Sequence, residues 1–215
     1  MTPTAEKSRY FDRGLLIASF AERVFSVCPN CRGPVVVTCR SKYGIPFKPI
    51  DARATCLRCS FQRIGCDGEW HGPVNGTAKR PCPNCGTKWL EQAARGKTQK
   101  DVDPGLSLIT CPTCGLVTRL DLEYAKERFG SANDPTFGLP LWLQISCCDH
   151  TLWAFNGDHL EALRRYISAS LRERTANLKW SMFCRLPAWI TSSKNRDAIL
   201  KGIDRLEEKL RSIEG

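Results

Sequence analysis

Cys82-Pro83-Asn84-Cys85-Gly86 and Cys111-Pro112-Thr113-Cys114-Gly115 decide how this chain is read. Two cysteines three apart on a tight turn can point both sulfurs at one ion. A glycine just beyond lets the backbone turn with positive φ, so that N–H groups face the sulfurs. The same pattern occurs upstream, at Cys28/Cys31, followed by Arg32-Gly33, and at Cys56/Cys59. Twenty-four residues separate Cys31 from Cys56, and 25 separate Cys85 from Cys111. That near-equal spacing is an internal repeat. Each half reads as a small β-ribbon with a cysteine pair at each end, and four thiolates close a tetrahedral site with no open position. The reading is two structural zinc ions, held by Cys28, Cys31, Cys56 and Cys59 and by Cys82, Cys85, Cys111 and Cys114. Sequential pairing gives the shortest loops; interleaved pairing is the alternative.

A disulfide framework fits poorly. The cysteines number 13, an odd count, and the first residues lack the apolar run of a secretory signal. A reducing, cytoplasmic setting is expected. A ribbon of this size has little apolar core, so metal binding is expected to supply much of its folding free energy. Among the remaining cysteines and histidines, Cys66, His71, Cys148 and His150 are the residues that could form a third metal site. Their commoner role is burial in a core.

The strands expected around the knuckles are Pro34–Cys39, Ser107–Thr110 and Leu116–Leu120. Residues 9–25 place Leu16, Phe20 and Val24 at helical intervals and suggest an N-terminal helix within 1–27. Ribbon one then spans 28–66, a Gly- and Pro-punctuated linker 67–81, and ribbon two 82–120, with its tip near Gly96–Gly105. A C-terminal module fills 121–215. It opens with a helix over 120–129. Two apolar stretches, Phe137–Cys147 and Thr151–Phe155, read as strands meeting at Cys148-Asp149-His150. Trp142 and Trp153 in them fit core packing better than base stacking. Asp158-x-x-Glu161 reads as a capping box, opening a helix that carries Leu160, Leu163, Ile167 and Leu171. Helical turns around Phe183–Ile190 follow. In a last helix, about 196–213, Ile199, Ile203, Leu206, Leu210 and Ile213 form a heptad seam. It suits docking on this chain or on a partner helix. The fold class expected is α+β: two tandem zinc ribbons and a module of hairpin and helices.

The 215 residues carry 32 basic and 22 acidic side chains, a net charge of +10. Residues 28–120 hold 14 basic against 6 acidic, and residues 121–159 hold 2 against 6. Each zinc with four thiolates adds about −2, so the ribbon half retains about half its excess. Arg53, Arg58, Arg63, Lys79, Arg80, Lys97 and Lys100 are the cations placed to meet phosphates. Catalytic patterns are lacking. Pro81-Cys82-x-x-Cys85 matches half of the zinc-deaminase signature, without its upstream H-x-E. No Walker, G-x-S-x-G, H-E-x-x-H or G-x-G-x-x-G motif occurs. The expected function is non-catalytic: binding nucleic acid or a nucleic-acid-processing complex, or acting as a protein–protein adaptor through the ribbons and the last helix.

The knuckles Cys82–Gly86 and Cys111–Gly115 resemble the zinc ribbon of the transcription-factor-IIB type. Such ribbons serve polymerases, helicases, topoisomerases and adaptors alike. Phe137-Gly138-Leu139-Pro140-Leu141-Trp142-Leu143, Cys148-Asp149-His150-Thr151-Leu152-Trp153-Ala154, His159-Leu160 and Leu171-Arg172-Glu173-Arg174 resemble a functionally uncharacterised bacterial group of small zinc-ribbon proteins. So does Arg185-Leu186-Pro187-Ala188-Trp189-Ile190 with Lys194-Asn195-Arg196-Asp197. The likeness spans about 105–212 and implies that the second ribbon and the C-terminal module form one unit. It supplies no activity. The group has a glycine where Asp149 stands, which weakens a metal knuckle at Cys147–His150.

Overall fold

A computed structural model describes residues 8–41, 47–65, 70–97, 101–102, 108–174 and 179–214. The chain is α+β, with small, mostly antiparallel sheets and a long C-terminal helix. In chain order the first strands are β1 (Arg9–Asp12), β2 (Arg23–Val27), β3 (Pro34–Ser41), β4 (Pro49–Cys56) and β5 (Gln62–Ile64). Then come β6 (Val74–Arg80), β7 (Leu90–Gly96), β8 (Leu108–Thr110), β9 (Val117–Arg119) and β10 (Glu123–Lys126). The rest is β11 (Gln144–Cys147), β12 (His150–Trp153), α1 (Gly157–Ser168), β13 (Leu171–Arg174), α2 (Ala188–Thr191) and α3 (Arg196–Glu214). Contacts divide the chain into two units, residues 1–66 with 140–215, and residues 67–139. No described helix is long and apolar enough to cross a membrane.

The first unit is built on the antiparallel sheet β2-β3-β4-β5. β-Branched and aromatic side chains drive it: Val24, Phe25, Val35 and Val37 are at most 2% exposed, beside fully buried Ala52 and Ala54. This sheet is shared with the C-terminal half. Phe25 N–H donates to Phe155 O, Val27 N–H to Pro140 O, and Trp142 N–H to Phe25 O, at 2.8–3.0 Å. The Asn156 amide donates to the carbonyls of Phe20 and Arg23 while its oxygen caps α1 by accepting from His159 N–H. Residues 1–66 thus group with 140–215 in one unit.

Several local expectations give way. No N-terminal helix spans 9–25. Gly14, at φ 84°, breaks the run. Phe20 is buried from a short 3-10 turn and Val24 from β2, so the helical spacing of these apolar residues was coincidental. The expected linker over 67–81 holds β6, the central strand of β10-β6-β7. Its inward positions, Val74, Gly76 and Ala78, are small, which hides a strand pattern; a Cβ on Gly76 would lie 3.0 Å from Val102 Cγ1. The expected helix at 120–129 does not form: Glu123–Lys126 is β10, paired with β6, and Leu122 and Tyr124 both approach Gly76. Asn156 rather than Asp158 caps α1, which ends at Ser168, leaving Leu171 to β13.

Strands β11 and β12 form the expected hairpin, with Cys147 opposite His150. Cys148 and Asp149 are both left-handed, at φ 51° and 59°, the geometry of a type I′ turn. Trp142 and Trp153 are half-buried. Lys209 lies over the Trp142 ring at 4.8 Å, and Trp153 packs against Phe155 and His159. In α3, Ile199, Ile203 and Leu206 are fully buried and Leu210 is 9% exposed. The seam packs on α1 and on β11. It is filled within the chain, leaving Ile213, half-buried near its end, as its least covered member. Arg164 locks the two helices together, donating to Asp204 at 2.6 Å and Glu207 at 3.0 Å.

Candidate metal centres

All four knuckles close in the same way. The N–H of the first cysteine donates to the carbonyl five residues on: Cys28 to Gly33, Cys56 to Phe61, Cys82 to Thr87 and Cys111 to Leu116, at 2.8–2.9 Å. In three of them the residue four places on donates back: Arg32 to Cys28, Gly86 to Cys82, and Gly115 to Cys111. That residue is left-handed, with φ of 60°, 70° and 72°. Two of these positions carry glycine. The first carries Arg32, with its glycine one place late, and tolerates an unfavourable φ.

The turns gather the sulfurs into two clusters, Cys28/Cys31/Cys56/Cys59 and Cys82/Cys85/Cys111/Cys114, each with its ligand atoms within 4.8 Å of one another. The pairing is sequential. Closest Sγ separations are 3.7 Å (Cys28–Cys59) and 3.5 Å (Cys31–Cys56) in one cluster. They are 3.7 Å (Cys82–Cys114) and 3.6 Å (Cys85–Cys111) in the other. A tetrahedral metal–thiolate centre with bonds of about 2.3 Å needs sulfurs about 3.8 Å apart. A disulfide needs about 2.05 Å. The donor sets therefore fit a four-coordinate metal ion and leave no fifth ligand position.

Backbone donors prepare the sulfurs for negative charge. Gly33 N–H reaches Cys31 Sγ at 3.4 Å, and Arg58 N–H reaches Cys56 Sγ at 3.3 Å. Burial pushes the Cys56 thiol up. The N–H groups of Arg58 and Cys59 and the neighbouring thiols outweigh it and bring Cys56 down to about 7. The N–H of Cys114 draws Cys111 down to about 6, against burial. Cys59 goes the other way: Phe61 N–H favours its thiolate, yet burial and the thiols of Cys56, Cys31 and Cys28 push it up to about 12. Without metal, then, Cys56 ionises early while its neighbour Cys59 keeps its proton. A dication replaces that proton, so binding is pH-linked.

Among the described residues, these clusters are the groups of three or more potential ligands; Cys148 and His150 join none. His150 instead stacks on Trp189 at 4.8 Å. Cys148 Sγ lies 3.8 Å from Cys147 Sγ. His71 donates its backbone N–H to Phe137 O. Cys66 and Lys100 lie outside the described residues.

The cations are unequal. Arg53, Arg58 and Lys97 are exposed. Arg63 is half-buried on β5. Lys79 pairs with Glu91 and sits 4.8 Å over the exposed Trp89 ring. Arg80 donates to Thr118 Oγ1 and Arg119 O, both at 2.8 Å, and so ties β6 to the second ribbon. Sequence reasoning missed Asp134, a fully buried carboxylate. Its oxygens accept from Thr136, Phe137 and Leu139 N–H at 2.6–2.9 Å. Burial pushes it up to about 6 against those three donors. The Asn-Asp-Pro turn signal at 133–135 was its visible sign.

Comparison with protein-family models, with curated proteins and with solved structures gives no match for this chain.

Proposed function

We propose that the chain is a non-catalytic zinc-ribbon protein that binds nucleic acid or a nucleic-acid-processing complex, with both zinc ions structural. The observation that carries this reading is the closed donor set: four thiolates at tetrahedral spacing in each cluster, with no position for water or substrate. All-thiolate tetrahedral sites select zinc over hard cations. Around them the exposed Arg53, Arg58 and Lys97 present cations without a catalytic constellation.

A second reading, docking on a protein, is favoured by one observation. The ribbons expose apolar side chains: Leu57 and Ile64 in the first, and Trp89, Leu108 and Val117 in the second.

Titration of fluorescent duplex and single-stranded oligonucleotides against salt separates the two. About three neutralised phosphates give a log–log slope of about −3 on duplex. Arg53→Gln with Arg58→Gln and Lys97→Gln should flatten that slope at unchanged zinc content. Salt-insensitive or absent oligonucleotide binding would pass first place to the protein-docking reading. Arg80 is left intact in this variant because its hydrogen bonds hold the second ribbon.

A further inference from the structure

Strand β1 alternates its side chains between interior and surface. Tyr10 and Asp12 face in. Tyr10 packs edge-on to Tyr166 and Phe183, at 5.5 and 5.0 Å. Asp12 is 1% exposed and accepts from Ser181 Oγ at 2.6 Å and Gly14 N–H at 2.9 Å. Arg9 and Phe11 therefore face out, and Phe11 is 53% exposed. The Asp12–Gly14 turn swings Arg13 round. The last turns of α1 bring Arg165 and Ser168 to the same place. Together with Ser8 they line a cavity of about 620 Å³ in the first unit. That volume suits a small ligand.

Three arginines line this cavity, and they are unequally partnered. Arg9 has one partner, Glu173 at 3.2 Å, and both are exposed. Neither Arg13 nor Arg165 has an ion-pair partner among the described residues. Nearby arginines are spoken for. Arg172 donates to the carbonyls of Tyr166, Ile167 and Thr191, Arg164 to two carboxylates, and Arg196 to Ala169 O. Because Arg172 already satisfies carbonyls at the end of α1, Arg165 is left for another acceptor.

We infer that this cleft binds a small phosphate monoester carrying a flat ring, the chemical class of a nucleoside monophosphate. Guanidinium forks match phosphate oxygens two at a time, so Arg13 and Arg165 take the phosphate. Arg9 shares it or stays with Glu173. Phe11 offers an open aromatic face to the ring. None of the eight clustered cysteines lines the cavity, so this site does not rest on the reading of the metal centres or on nucleic-acid binding.

Calorimetric titration of the full-length chain with adenosine 5′-monophosphate, ribose 5-phosphate and inorganic phosphate tests it, at physiological ionic strength. The monophosphate should bind saturably, one per chain, and more tightly than ribose 5-phosphate. Arg13→Gln with Arg165→Gln should weaken it by about tenfold or more. Arg165→Lys, which keeps the charge and loses the fork, should fall between. Phe11→Ala should erase the advantage of the monophosphate over ribose 5-phosphate. Helical circular dichroism and zinc content should stay as in the parent. Arg211→Gln, exposed on α3 away from the cavity lining, should bind as the parent does. No saturable binding by the parent, full affinity in the double variant, or an equal loss in Arg211→Gln would overturn the inference.

Discussion

The two cysteine clusters share their turns and sulfur spacing and differ in what lies beneath them. The first sits at one end of a four-stranded sheet whose Val24, Phe25, Val35, Val37, Ala52 and Ala54 are essentially removed from water. The second sits over a buried group of Ala78, Leu90 and Leu120 with two of its own ligands, Cys82 and Cys111. At about 25 cal/mol per Å² of apolar surface, the first sheet can hold itself together while the second group contributes little. The same donor set thus does different things. A bound metal would trim a turn on a packed sheet in one region, and would supply the fold in the other.

Breaking one cluster at a time should give the largest effect. Cys82→Ser should lose one of two metal ions and melt the second ribbon, visible as collapse of the Leu108–Thr110 and Val117–Arg119 amide signals. Cys56→Ser should also lose one ion, yet keep protection from hydrogen exchange along Val24–Val27 and Val35–Thr38. Equal melting of both regions by both variants would mean that the two clusters do the same work. Elemental analysis finding no zinc in freshly purified protein would end the zinc reading itself.

Second in size is a backbone effect. Gly138 has φ +77°, and a Cβ there would stand 2.3 Å from Gly72 N. Gly138→Ala should destabilise the second unit by about 3 kcal/mol or more, combining a left-handed penalty with a clash against backbone. Denaturant unfolding followed by Trp70, which lies within that unit, reads the shift.

The contrast extends to pH. His159 is buried and accepts from Phe155 N–H through Nδ1, and burial lowers it to about 3. The unfolded chain takes up a proton below the ordinary value near 6.5, and the folded one does not. Stability is therefore complete above 6.5 and falls as the pH drops toward 3, by about 2 kcal/mol between pH 7 and 5 in the first unit. Asp134 works in the opposite sense. Its folded value is raised to about 6, so its contribution is present at low pH and is lost as the pH rises through 3.8 to 6. Removing the imidazole by His159→Phe should flatten the acid slope of the first unit and leave the second unit's slope alone. An unchanged slope in that variant means the imidazole is not buried neutral.

The two cysteine clusters were legible in the sequence because a tetrahedral thiolate set depends on short spacings. C-x-x-C fixes a turn, and four such turns at two equal intervals leave few ways to pair. Helix α3 was legible for a similar reason: its apolar residues repeat over five positions, and four of them are buried. What could not be read was which strand pairs with which. The stretch 120–129 satisfies helix and strand patterns alike, and only the pairing of Glu123–Lys126 with Val74–Thr77 decides it. Val24 looks helical beside Leu16 and Phe20 until β3 is set against it. The sharing of ribbon one with the C-terminal half depends on Asn156 and Phe155 reaching residues more than 100 positions away, a distance no local pattern spans.

The smallest predicted effect concerns the knuckles themselves. Gly86 and Arg32 occupy equivalent left-handed positions, after Cys85 and Cys31. A Cβ on Gly86 would meet nothing within 4 Å, so space is not at issue there, in contrast to Gly138. The only penalty of Gly86→Ala is the φ of +70°, about 1 kcal/mol. Arg32 already bears that penalty in the first ribbon, where the packed sheet offsets it. Arg32→Gly should accordingly relieve strain and raise stability by somewhat less than Gly86→Ala lowers it, since glycine also loosens the unfolded chain. Thermal unfolding of both variants at fixed zinc measures the two signs. If Arg32→Gly destabilises instead, the arginine side chain contributes more through its own contacts than its backbone loses, and the two knuckles are not equivalent after all.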